Sequence, residues 1–498
     1  MNWGLMKTAS MLALVVATCF FAGNTTTARA ADLDGDDKSD ADLIKKLING
    51  DGPLTIHGIT VYGTVDVGWT SLDHSVSPSD YTNNTQPYLI QKYSNGSENS
   101  LVQSPLETSK LGVKGTEDLA GGWAAVFKLE TGFNPLTGNL IDGLKSLTID
   151  NFKANNDPNF VQQGDSSRAG QIFNGTAWGG FSNKTYGTFT YGRQNAVLYD
   201  TVQSYDPMGG AYAFGLIGGS SAVGGAGGDT QDARLDNSLK YANTVGPVRF
   251  AGQYQFATQS DGGESYQGDL GFDWKGFSID GAYLHKTGGI SASSLSSTGG
   301  VDFARMTAAG LSSDKSLDVT LSDNTAYAIA AKYDGGKWKV FGGYEYISQV
   351  NSTNPEGIAN ATSGDVYQDI GGYNIITVTN NKYDSAKVTQ MEWVGGKVYF
   401  DPKLSLTGAY YHLSQNDFST TNGGVVQTCA QANATKKGVV QSNCAGSEDV
   451  VSALLDYQWT KRLDVYGGVM YSQVKNGLAS GFINNDATAV TVGSRIKF

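Results

Sequence analysis

From Leu54 to its last residue the chain repeats one pattern: a run whose side chains alternate between apolar and polar, a connection, then another such run. Ile59, Val61, Val65, Val67 and Trp69 alternate with Thr60, Tyr62, Thr64 and Asp66. Phe127 and Leu129 alternate with Lys128 and Glu130, and Val490, Val492 and Ile496 with Thr491, Arg495 and Lys497. A period of two places successive side chains on opposite faces of a β-strand. Sixteen such segments are expected, from 54–72 through 486–498, most of about 9–14 residues. That is long for strands of soluble proteins but suits a tilted strand crossing a bilayer. Short turns such as Gly246-Pro247 and Asp401-Pro402-Lys403 alternate with long polar connections at about 73–106, 135–170, 196–234, 288–322, 350–384 and 416–446, and shorter ones at 259–265 and 476–485. Loops sorted by length onto two sides are the mark of a closed transmembrane barrel, which leaves no unpaired strand edge in hydrocarbon. The expected fold is therefore all-β: a 16-stranded antiparallel transmembrane β-barrel over residues 54–498. Trp69, Trp123, Trp178, Trp274, Trp338, Trp393 and Trp459 are expected in its interfacial girdles.

Composition agrees. Charged residues are 16% of the 498, below the usual share of about 25%. No run past the N-terminus approaches the 18 or so apolar residues of a transmembrane helix. A net charge of −12 disfavours nucleic acid as a partner. Residues 1–30 read as a cleaved signal peptide: Lys7, the apolar run Ala9–Gly23, and Ala28-Arg29-Ala30 before the cut. Its removal leaves 33 basic and 47 acidic residues, a net −14. Residues 31–53 form an acidic periplasmic leader. Asp32, Asp34 and Asp36 alternate as in a calcium loop, but the position-6 Gly and position-12 Glu are missing. A solvated tail is expected, with Ca²⁺ as the alternative and no other cofactor. Cys429 and Cys444, exported as an even pair in one polar segment, are expected to form a disulfide. His57, His74, His285 and His412 are scattered and no Gly-x-Ser-x-Gly elbow occurs, so no enzyme is expected.

Several stretches resemble the general porins of Gram-negative bacteria, especially their neisserial/β-proteobacterial branch. These are Val61–Gly68, Ser109–Leu119 with Phe127–Phe133, Tyr186–Gln194 with Leu198-Tyr199-Asp200 and Tyr205–Gly209, Arg234–Tyr241, and the final Phe498. The resemblance implies a trimeric, water-filled barrel whose third long loop, about 196–234, folds inward. It also implies that Phe498 is read by the barrel-assembly machinery. Strand parity puts Lys110, Lys114, Lys128 and Glu130 on the lumen face; Arg193 and Arg234 flank the inward loop and Lys240 follows it. Asp200, Asp206, Asp229 and Asp232 come from the loop. A basic wall facing an acidic loop would set up a field across the narrowest section. The family's usual Arg is replaced by Gly175, which leans the expected preference towards cations. The expected function is passive diffusion of ions and small hydrophilic solutes through the outer membrane. The expected partners are a second and third copy of the chain, outer-membrane lipid and lipopolysaccharide, and the assembly machinery. A sugar-selective channel and a plugged surface-recognition barrel are the alternatives.

Overall fold

The computed structural model describes residues from Leu54 onward, except 57, 75–87, 89, 91–95, 142–171, 220–232, 258–262, 294, 296–303, 305, 355–366, 371–372, 423 and 436–439. The leader, the signal peptide, Asp32, Asp34, Asp36, Asp229 and Asp232 lie outside the described residues.

Sixteen strands form the wall: β1 Ile59–Asp73, β2 Lys110–Asp118, β3 Trp123–Gly132, β4 Thr176–Asn183, β5 Gly187–Asn195, β6 Arg234–Val245, β7 Val248–Gln255, β8 Ser265–Trp274, β9 Phe277–Ser293, β10 Ser316–Asp334, β11 Trp338–Asn351, β12 Lys387–Tyr399, β13 Leu404–Gln415, β14 Gly446–Gln458, β15 Leu463–Asn476 and β16 Asp486–Lys497. Each pairs antiparallel with its sequence neighbours, and β16 returns to β1 in register from Thr64↔Lys497 to Asp73↔Thr488, closing the sheet. Gly63 N–H donates to the Phe498 carbonyl at 3.0 Å, and Phe498 N–H donates back at 3.1 Å, fastening the last residue to the seam.

The burial pattern is inverted relative to a soluble protein. Val490 and Val492 are 43% and 47% exposed while Thr491 between them is fully buried. Valines on the outside and a threonine within fit a sheet whose outer solvent is lipid. The girdle expectation needs two corrections. Trp393 is buried inside the barrel. Trp178 lies directly opposite inward-facing Lys128 in the β3–β4 register, so it too faces the lumen. Trp69, Trp123, Trp274, Trp338 and Trp459 are exposed on the outside.

Two loop regions contain more sheet than the sequence leads one to expect. The connection expected at 288–322 is strand at both ends, 288–293 and 316–322, because β9 and β10 continue their pairing out to Ser293↔Asp318. Leu317, Val319 and Leu321 are buried there, and a strand of the sixth long loop, Tyr373–Thr379, pairs parallel with β10 beside them. In the first long loop, Ser97–Gln103 pairs with the upper half of β1, whereas β2 pairs with its lower half. The turn between these two partners, Ser104–Ser109, enters the barrel at Asp66. Ser104 N–H donates to the Asp66 carbonyl at 2.8 Å, and the Asp66 N–H donates to Ser109 Oγ at 3.0 Å.

The third long loop is folded inside. Its buried Leu198, Val202, Phe214, Leu216 and Ile217 join Met391, Trp393, Tyr411, Leu413, Val450, Leu454 and Met470 from β12–β15 in one apolar cluster. The inner wall of β12–β15 therefore meets the loop with apolar side chains. Burying five large apolar loop side chains contributes about 10 kcal/mol, an upper figure before the entropy of ordering the loop.

Candidate functional site

The narrow zone of the lumen is built by the inward loop on one side and by β1–β3 with β6 on the other. The loop begins as a helix, α1 (Val197–Ser204). A helix N-terminus leaves backbone N–H groups without partners. Here the wall supplies them: Gln253 Oε1 accepts from Val197 N–H at 3.0 Å and Gln267 Oε1 from Leu198 N–H at 3.1 Å. Thr201 Oγ1 donates to Asp269 at 2.9 Å, and Lys332 Nζ donates to the Ser204 carbonyl at 3.0 Å.

Beyond α1 the chain turns on Asp206. Its carboxylate accepts from Met208 N–H (3.2 Å), Gly210 N–H (2.6 Å) and the Tyr411 hydroxyl (2.5 Å). Trp393 Nε1 donates to the Tyr205 carbonyl at 3.0 Å. Pro207 lies on Gly395, where a Cβ would stand 2.5 Å from its ring, and Phe214 lies on Gly468, where a Cβ would stand 2.7 Å from its ring. Glycine at these two places admits the loop to close approach.

Across the cleft, Lys110, Glu130 and Arg234 stand opposite Tyr199, Gln203, Gly210 and Tyr212 of the loop. Lys128 pairs with Glu130 at 3.2 Å, and the Tyr62 hydroxyl donates to Glu130 at 2.9 Å. The Lys114 and Lys128 ammonium groups lie 5.6 and 5.8 Å from the centre of the Tyr62 ring. Glu107, from the first long loop, lies 3.9 Å from Lys110 and 3.5 Å from Lys497. Both signs thus line the cleft, Lys110 and Arg234 against Glu107 and Glu130, with Lys114 and Lys128 beside it around Tyr62. Among the described residues, the loop residues lining the cleft are uncharged.

The other expected charges are placed differently. Asp206 is 3% exposed and is spent on loop backbone and Tyr411, so it anchors the loop and does not face lumen water. Asp200 and Lys240 form the direct loop-to-wall ion pair, at 2.7 Å. Arg193 is buried, pairs with Asp236 at 2.5 Å and donates to the Asn174 carbonyl at 2.8 Å; it is not among the cleft-lining residues. At Gly175 an added Cβ would lie 3.0 Å from Glu130 Oε1, so Glu130 occupies the space beside that glycine. Glu107, Gln253, Gln267, Trp393 and Tyr411 are not singled out as site residues by the sequence pattern. Each matters through a partner more than forty residues away or through a neighbouring strand, which alternation alone does not reveal.

Glu107 makes the cleft sensitive to acid. Burial opposes its charge, yet Lys110, Lys497 and Arg495, with a 3.0 Å hydrogen bond from Thr64, hold its carboxyl below the ordinary glutamate range. These ion pairs therefore contribute stability above the unfolded-chain value, and it is lost as pH falls through the lowered one. Lowering the pH through that range removes a negative charge from the cleft, so the anion-to-cation permeability ratio is expected to rise. Reversal potentials at neutral pH and below the ordinary glutamate range check this. Glu107→Gln should show a smaller rise, the remainder coming from Glu130.

Cys429 and Cys444 are joined in a disulfide, as expected, in the seventh long loop. Asp417 lies near both sulfurs, but the bridge consumes the thiolates a metal would need. Closing a 15-residue separation restrains that loop by about 3 kcal/mol in the chain-entropy account. Replacing both cysteines by serine is expected to raise protease cleavage within 416–445 and to leave the barrel's heat-induced unfolding unchanged on gels.

A closed barrel with an apolar exterior, and a lumen narrowed by a loop against a charged wall, defines an outer-membrane channel. Sequence comparison specifies it further: the description of Gram-negative porins matches residues 12–375, and the chain belongs to that family. An outer membrane porin protein of Bordetella pertussis is 27% identical over 186 residues, 37% of this chain and 38% of that protein. The match thus spans well under half of that relative's length. The anion-selective porin from Comamonas acidovorans superposes with a TM-score of 0.53 at 15% identity, over 88% of this chain and 99% of its own. The outer-membrane expressed OmpT of Vibrio cholerae gives 0.52 at 12% identity, over 90% and 100%. At these identities the likeness is one of fold.

Proposed function

We propose that the protein is a water-filled diffusion channel for ions and small hydrophilic solutes in the outer membrane, exported by the signal peptide 1–30 and assembled as a homotrimer. The observation that carries this reading is the cleft between α1 and its following turn on one side and Lys110, Glu130 and Arg234 on the other. It is polar, narrow and walled by charge, which favours hydrated solutes and makes passage costly for apolar ones. The lean towards cations rests on Gly175, where the family's usual arginine is missing. With Asp206 buried and Asp200 tied to Lys240, the cleft lining balances Lys110 and Arg234 against Glu107 and Glu130, and Lys114 and Lys128 beside it around Tyr62 support a preference for anions instead. Single-channel conductance in planar bilayers, with the reversal potential under a KCl gradient, tests both parts. Openings in groups of three with an anion-signed potential are expected. No openings from folded protein would favour the plugged, surface-recognition barrel, and a cation-signed potential would return the selectivity to the loop acids.

A further inference from the structure

The turn Ser104–Ser109 of the first long loop is a second inward element. It is bound to β1 through Asp66, which is fully buried within the barrel. One Asp66 carboxylate oxygen accepts from Leu106 N–H at 2.7 Å and Glu107 N–H at 2.9 Å; the other accepts from the Tyr466 hydroxyl at 2.5 Å. Ser109 N–H donates to Ser104 Oγ at 2.9 Å, closing the turn on itself. Pro105 packs on Gly68, where a Cβ would stand 2.8 Å from its ring.

The far part of the inward loop is braced by this turn. Ala213 N–H donates to the Pro105 carbonyl at 2.9 Å, and Thr108 Oγ1 and the Tyr212 hydroxyl are 2.6 Å apart. Between these contacts the turn presents Glu107 to the cleft beside Lys110. We propose that Glu107 is a selectivity-determining residue of the constriction and that Asp66 is its positioning residue, holding the turn that delivers Glu107 and braces the inward loop. A carboxylate accepting two backbone N–H groups and a tyrosine hydroxyl fixes a turn with charge-assisted bonds, which are stronger than neutral ones. An acid fixed beside the lysine opposes the cations that line the cleft. This deepens the diffusion-channel reading and rests on it.

The test uses the full-length protein in planar bilayers at about 0.1 M KCl, where exposed charges are still felt over about 10 Å. Glu107→Gln is expected to raise the anion-to-cation permeability ratio about threefold at nearly unchanged conductance, the effect of one unit charge about 6 Å from the ion path after screening. Asp66→Asn is expected to shift the ratio the same way, because its amide keeps one acceptor oxygen but loses the charge that strengthens the bonds to the turn and to Tyr466, and to make the current noisier. The double variant should add little to either single one, since both act through one carboxylate. Tyr466→Phe, which removes one of the three bonds to Asp66, gives a milder shift and serves where Asp66→Asn does not fold. Wild-type protein without openings overturns the channel reading itself. Wild-type openings with an unshifted ratio in Glu107→Gln overturn only the role of Glu107. Additive shifts in the double variant, or noise without a shift in Asp66→Asn and Tyr466→Phe, overturn the positioning role of Asp66.

Discussion

Lys110→Glu is expected to invert the ion preference of the channel. The substitution changes the cleft charge by two units beside the path of a permeating ion. In water each unit contributes about 0.7 kcal/mol at about 6 Å, with opposite sign for anion and cation. Two units therefore alter the difference between the ions by about 2.8 kcal/mol before screening. At about 0.1 M salt, with a screening length of about 10 Å, roughly half survives, which is about tenfold in the permeability ratio. At about 1 M the screening length falls to about 3 Å and the shift should nearly vanish. Lys110→Gln should give half the effect. Lys110 is partly exposed in the wet lumen and, among the described residues, its ion pair with Glu107 is 3.9 Å long, so the barrel should remain as resistant to heat as the wild type. Reversal potentials at the two salt concentrations check the prediction. A potential indifferent to Lys110 at low salt would place the selectivity elsewhere in the lumen.

Asp206→Ala is expected to release the inward loop without opening the barrel. It strands three buried donors, the N–H groups of Met208 and Gly210 and the Tyr411 hydroxyl. An unsatisfied buried polar group costs about 1–3 kcal/mol, so the turn should lose several kcal/mol unless water enters. The penalty stays in the loop, because the wall is held by its own strand ladder. Conductance steps should become larger and noisier, and protease should cut within 205–219 of the folded protein. Tyr411→Phe removes one bond and should do less. Wild-type conductance together with a protease-resistant loop in Asp206→Ala would mean that the apolar contacts of Phe214, Leu216 and Ile217 suffice to hold it.

The wall is legible in the sequence because its signal is local. The segment read at 486–498 is β16, and the turn read at Gly246-Pro247 joins β6 to β7, since alternation and turn residues are properties of a few consecutive positions. The lumen is less legible. Trp393 and Trp178 look like girdle residues, and only the register shows that they face inward. Along β12 and β13 apolar residues occur on both faces, Tyr410 outward and Tyr411 inward, so the pattern does not announce that one face receives a loop. Asp206 reads as a lumen acid until Tyr411 is found beside it. Lys110, Lys114, Lys128 and Glu130 are recoverable because strand parity alone fixes their face.

The seam between β1 and β16 sets a condition on assembly. Thr70 of β1 donates to the Val490 carbonyl, 420 residues further along the chain. Until the last strand arrives, the sheet carries two bare edges, and the longest loop closure in the molecule has yet to be made. Topologies dominated by such distant pairings fold slowly and expose sticky surface while they wait. For this chain the seam is the last thing to be made: a protein cut short of β16 lacks the one strand that pairs with both β15 and β1, and the register that closes the sheet goes with it.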